Sequence, residues 1–96
     1  MTPEHVNEIL KTCEASPADE RGFREFPPKT TLSLYLSRGG VGLTVAAIEA
    51  MAVRGATVHA RTTKGDLYLV AIDDIFAANV EGRAVAKAPR KAGFGA

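Results

Sequence analysis

Tyr35, His59, Arg61 and Tyr68 are the side chains in this sequence best suited to hold another molecule. Each tyrosine offers a flat π-face, and a histidine and an arginine beside them would add hydrogen bonds and positive charge. That combination binds single-stranded nucleic acid on the open face of a sheet. A second candidate is the loop Arg38-Gly39-Gly40-Val41-Gly42. Set between a strand and a helix, its free backbone amides and the positive helix end would receive a phosphate or carboxylate, with Arg38 alongside. The spacing matches neither G-x-G-x-x-G nor G-x-x-x-x-G-K-[ST], so the nucleotide-binding signatures are absent. A tight turn with Thr44 as helix cap accounts for the same residues.

Catalysis finds less support. His5 and Cys13 fall two turns apart on one helix, too far for a nucleophile and its base, and His59 has no partner evident in the sequence. Asp66, Asp73 and Asp74 are accounted for by turn and cap positions. A single cysteine rules out an internal disulfide and a cysteine-rich metal site. The expectation is a non-enzymatic binding or interaction module with no catalytic residues, no metal and no cofactor.

These side chains must be carried by a small scaffold. Ninety-six residues, 46% hydrophobic and 24% charged, describe one ordinary globular core. Such a chain buries only about 60 to 65% of its unfolded surface, which leaves room for a homodimer or a ligand to add burial. Lys and Arg total 12 against 11 Asp and Glu, so no whole-molecule field selects nucleic acid, a membrane or acidic substrates. The distribution is less even. Residues 1–30 carry six acids and four bases, whereas Arg83, Lys87, Arg90 and Lys91 share the last fourteen residues with no acid. Residues 1–88 read as one α+β domain and 89–96 as a basic, flexible tail. No basic region followed by an apolar run opens the sequence, so the expected location is cytoplasmic, without membrane contact.

Thr2, Pro3 and Glu4 form a helix start, and Val6, Ile9, Leu10 and Cys13 continue it as one apolar stripe, giving a helix over 2–14. Residues 16–29 hold three prolines and Gly22 without a period, and read as a loop that Phe23 and Phe26 pin to the core. Leu32, Leu34 and Leu36 alternate with Ser33, Tyr35 and Ser37, the period of a half-buried strand. From residue 43 or 44 to Arg54, Ala-rich sequence with Val45, Ile48, Met51 and Ala52 on one face predicts a helix stopped by Gly55. Residues 57–62 and 67–72 form a hairpin about Thr63-Lys64-Gly65-Asp66. Asp73 or Asp74 caps a short helix to Asn79, followed by a strand at Ala84-Val85, or else the pair marks a strand corner in a continuing meander. The order β, α, β, β, α, β is ferredoxin-like, with an additional N-terminal helix.

Residues 32–73, through Ser-Arg-Gly-Gly at 37–40, Arg-Gly-Ala-Thr-Val at 54–58 and the Thr-Lys-Gly-Asp hairpin, resemble the βαββ half of ACT-type regulatory domains. That family's loop after the first strand typically reads Asp-Arg-Pro-Gly and contributes to an amino-acid effector site; here Ser37 replaces the Asp and Gly39 the Pro. The resemblance implies a ligand-sensing regulatory dimer with Arg38, Gly39, Gly40 and Gly42 as its effector loop. Gly39 to Gly42 also satisfies the G-x-x-G of KH domains, whose loop joins two helices, whereas a strand precedes Gly39 here. Three readings follow: a binder of single-stranded nucleic acid on an open sheet face, as in RRM-type sheets; an ACT-like sensor; and a protein-interaction domain without a small ligand.

Overall fold

The Ala-rich stretch Val41–Arg54 is the longest strand of the protein. The computed structural model describes residues 1–82. Helix α1 (Pro3–Thr12) is followed by β1 (Arg24–Glu25), β2 (Thr31–Arg38), β3 (Val41–Arg54), β4 (Thr57–Thr62), β5 (Leu67–Ala71) and β6 (Ile75–Glu81). A 3₁₀ turn at Ile72–Asp74 joins β5 to β6. All pairings are antiparallel, in the order β5-β4-β3-β2-β6, with β1 against β3. The chain is therefore α+β. A strand stands where the ferredoxin-like order, and the βαββ unit of the ACT resemblance, require the first crossover helix.

The register of β3 explains why it looks helical in sequence. Leu34 pairs with Val45 and Leu32 with Ile48, so β3 spends three residues where β2 spends two. Against β4, Ile48 faces Thr62 and Ala50 faces Arg61, again one residue extra in β3. Each extra residue is a β-bulge. Inward positions of a regular strand recur every second residue, but the bulges stretch two steps to three, and Val45, Ile48 and Met51 all enter the core. A three-residue spacing among alanines imitates one face of a helix. Helix propensities of ordinary residues differ by less than about 1 kcal/mol each, too little to outweigh strand pairing and burial.

The same bulges roll the sheet. Fourteen residues of straight strand would reach about 45 Å, more than the 38 Å of the molecule's longest dimension. Thr57, just past the end of β3, pairs with Ala71, while Leu36, paired with Leu43 near its start, also pairs with Ile75. Only Ile72–Asp74 separate Ala71 from Ile75, so the ends of β3 are drawn together into an open barrel. Ala47 lies at the bend with φ 60°, and its carbonyl accepts a 2.9 Å hydrogen bond from the Thr63 amide.

Leu32, Leu34, Val45, Ile48, Met51, Val58, Ile72 and Ile75 fill the interior, and Val6 and Leu10 of α1, with Cys13 at its C-cap, join the same cluster. The helix begins as its sequence dictates: the Thr2 hydroxyl accepts the His5 amide at 3.2 Å, and Pro3 occupies the first turn. Phe26 is buried, and the Asp19 carboxylate folds the preceding loop by accepting the amides of Arg21 and Phe23. The helix expected over 73–79 is absent. Asp73 and Asp74 lie in the 3₁₀ turn, and Ile75–Glu81 continue as a strand, which is the corner-and-meander alternative. The strand expected at Ala84-Val85 and the basic tail lie outside the described residues.

Candidate functional site

Strand order decides the fate of the aromatic cluster. Tyr35 is on β2 and Tyr68 on β5, with β3 and β4 between them. Residues paired across antiparallel strands share a face. Tyr68 pairs with the buried Ala60, whereas His59 and Arg61 pair with Leu69 and Leu67, so Tyr68 is on the opposite face of the sheet from His59 and Arg61. The four side chains form no common platform. Arg61 is instead engaged locally: its Nε donates to Glu49 at 3.0 Å, its terminal nitrogen lies 3.4 Å from Glu25, and its guanidinium covers the Phe23 ring at 5.8 Å. It fastens the loop before β2 to the barrel wall.

The glycine loop is also not an anion site of the expected kind, because no helix follows it. Gly39 and Gly40, with φ of 58° and 83°, form the two central residues of a type I′ hairpin turn between β2 and β3. Gly42 is already in β3. Arg38 reaches Asp74 instead, its Nε 3.1 and 2.9 Å from the two carboxylate oxygens and its terminal nitrogen 2.8 Å from one of them. That hydrogen bond raises the guanidinium pKa above its ordinary value. The ion pair ties the hairpin tip to the β5–β6 corner.

Catalytic chemistry gains no constellation. Cys13 is fully buried, and desolvation pushes its thiol up to about 11, where it stays protonated and unreactive at neutral pH. Among the described residues, no three His, Cys, Asp or Glu side chains gather as metal ligands, and no helix is long and apolar enough to cross a membrane.

What the structure brings forward are its two rims. Among the described residues β5 pairs only with β4, and β6 only with β2. The Thr62 amide donates to Asp66 and the Ile72 amide to Ala56, which sets the alternation of the ladder between them. Tyr68 and Val70 turn their backbone groups toward β4; Leu67, Leu69 and Ala71 turn theirs outward. On the other rim, the two-residue turn makes Arg38 and Val41 a hydrogen-bonded pair, so Leu34 and Leu36 bond to β3 while Ser33 and Tyr35 bond to β6. Asn79 and Ala77 answer them, leaving the backbone groups of Ala78 and Val80 outward. The two rims are guarded unequally: β6 has a bulge, and its start is tied down by the Met1 amine, which donates to the Ile75 carbonyl at 3.0 Å, whereas β5 has neither. β5 reads Leu-Tyr-Leu-Val-Ala without charge, proline or glycine, and β6 carries only Glu81.

Large apolar side chains stand on these rims: Leu69 is 60% exposed and Phe76 67%. Phe76 is the extra residue of a third bulge, between the pairs Tyr35–Ala77 and Leu36–Ile75, and its ring lies 6.5 Å from that of Tyr35. The sequence singles out neither residue: Leu69 lies within the hairpin strand 67–72, and Phe76 within a stretch open to either a short helix or a continuing meander. The available signal was a strand of five uncharged residues at the end of a hairpin. The chain matches no family model, no curated protein and no solved structure.

Proposed function

We propose that this chain is a non-enzymatic interaction module that assembles with itself, the β5 edge of one copy accepting the β6 edge of the next as an added strand. The carrying observation is that one chain holds two different edges, both uncharged over most of their length, with outward backbone groups and exposed apolar side chains. Outward backbone groups template an added strand, and pairing would cover the exposed Leu69 and Phe76 at the same time. Because the two edges differ, the contact is heterologous and propagates into a closed ring or an open filament.

Light scattering across a dilution series tests this. The expected mass exceeds that of one 10.1 kDa chain at high concentration and falls on dilution. Leu69→Pro and Val80→Pro each remove one outward amide, and each should lower the mass while leaving the far-ultraviolet spectrum unchanged. A single-chain mass at every concentration would reject the proposal.

A second reading, binding of single-stranded nucleic acid, is favoured by one observation, the pairing of the exposed Phe76 ring with the half-buried Tyr35 ring. A base stacked there contributes about 1–3 kcal/mol. Anisotropy of a labelled mixed-sequence oligonucleotide at low salt is its test: binding lost in both Tyr35→Ala and Phe76→Ala supports it, and binding unchanged by both removes it.

A further inference from the structure

β3 outruns β2. The last residue of β3 paired with β2 is Ile48, so from Glu49 onward that side of β3 would be a third edge of the sheet. The ladder on the other side shows which residues face it. Tyr68 and Val70 take the backbone groups of Ala60 and Val58, so Arg61, His59 and Thr57 turn theirs to Ala50, Ala52 and Arg54. The backbone groups of Glu49, Met51 and Val53 therefore point away from β4. β1 covers the first two of these: Arg24 pairs with Met51, and the Phe26 amide donates to the Glu49 carbonyl at 2.9 Å. The outer side of β1 is closed in turn by Ser16, whose amide donates to the Glu25 carbonyl at 2.8 Å and whose hydroxyl accepts the Glu25 amide at 3.0 Å.

We infer that residues 16–26 are a strap guarding this third edge, and that its release adds a strand-pairing surface to the two rims. What a bared edge would do rests on the edge-to-edge reading given above; that the strap opens does not. Covering an edge with a loop is one of the ways native sheets avoid unwanted pairing. The hold of this cover is mostly polar and exposed. Within it only Phe26 is buried. Arg24 Nε donates to the Ser16 carbonyl at 2.8 Å, the Arg54 guanidinium donates to the Arg21 carbonyl, and Arg61 bridges Glu49 and Glu25. Exposed ion pairs of this kind contribute little each. Segments with few buried apolar contacts and solvent-exposed hydrogen bonds are the first to open. Two neighbours on one strand should therefore behave differently, because the backbone of Met51 is held by the strap and that of the buried Ala52 by β4.

Native-state hydrogen exchange, read residue by residue on the dilute full-length chain, tests this. In the wild type the Met51 amide should be less protected than the Ala52 amide beside it. Ser16→Ala removes the hydroxyl that accepts the Glu25 amide, and Arg61→Met removes the bridge to Glu25 and Glu49 while keeping an unbranched apolar stem. Together they should speed exchange at Met51 by about tenfold and leave Ala52 within about twofold. By light scattering at equal concentration, the double variant should also show a higher mass than the wild type. Met51 and Ala52 responding together, or neither responding, would overturn the strap as a unit that opens separately. Selective acceleration at Met51 without a gain in mass would overturn the bared edge as a pairing surface. A wild type that is monomeric at every concentration, beside a double variant that associates, would reject the edge-to-edge assembly and keep the strap as the guard.

Discussion

Leu34 of β2 and Leu69 of β5 are the same residue in the same kind of strand, yet 1% of one and 60% of the other is exposed. Leu34 has β3 on one side, β6 on the other and the barrel interior beneath it. Leu69 has β4 on one side and, among the described residues, no strand on the other. The centre of the sheet is finished within one chain, while the rim has the composition of a centre without its neighbours. Burial here follows from position in the strand order, not from residue type, and the proposed assembly is a second copy completing the pattern at the rim.

The largest effects should separate centre from rim. Leu34→Ala is expected to cost about 2–5 kcal/mol in urea unfolding, whereas Leu69→Ala, measured on dilute chain, should stay within about 0.5 kcal/mol. Comparable losses at the two sites would erase the distinction. Next comes the turn between β2 and β3. Gly40 has φ 83°, and Gly40→Ala should cost about 1–2 kcal/mol, read in the same assay. Smaller again is the helix that closes the core: Thr2→Ala removes the hydroxyl capping the His5 amide and should cost about 1 kcal/mol.

Alkaline pH probes the centre in a different way. Burial raises the Cys13 thiol from 9.0 to about 11, so the folded chain holds that proton more tightly than the unfolded one. The resulting stability is full below pH 9.0 and is lost as pH rises toward about 11. Unfolding measured across this window should decline more steeply for the wild-type chain than for Cys13→Val. Parallel curves would assign the decline to other groups.

The helix, the β2 strand and the Thr63–Asp66 hairpin were legible in sequence because each depends on local signals: a cap and stripe, an alternation, a turn tetrapeptide. β3 was not, because its two bulges convert a period of two into apparent steps of three at Val45, Ile48 and Met51, and a bulge is fixed by the partner strand's register. That one substitution of strand for helix altered the order of the whole sheet, which parted Tyr35 from Tyr68. The rims were hidden for a related reason. Leu67-Tyr68-Leu69-Val70-Ala71 reads as core by composition, and only the strand order shows that it lies at a margin.

The claim that two different edges of one chain join is tested most directly by mixing Leu69→Pro, which blocks β5, with Val80→Pro, which blocks β6. Each variant alone should be monomeric by light scattering, and the mixture should yield a one-to-one dimer and nothing larger, because it retains one good edge of each kind. A mixture that stays monomeric, or a Val80→Pro variant that forms dimers alone through paired β5 edges, would contradict the account.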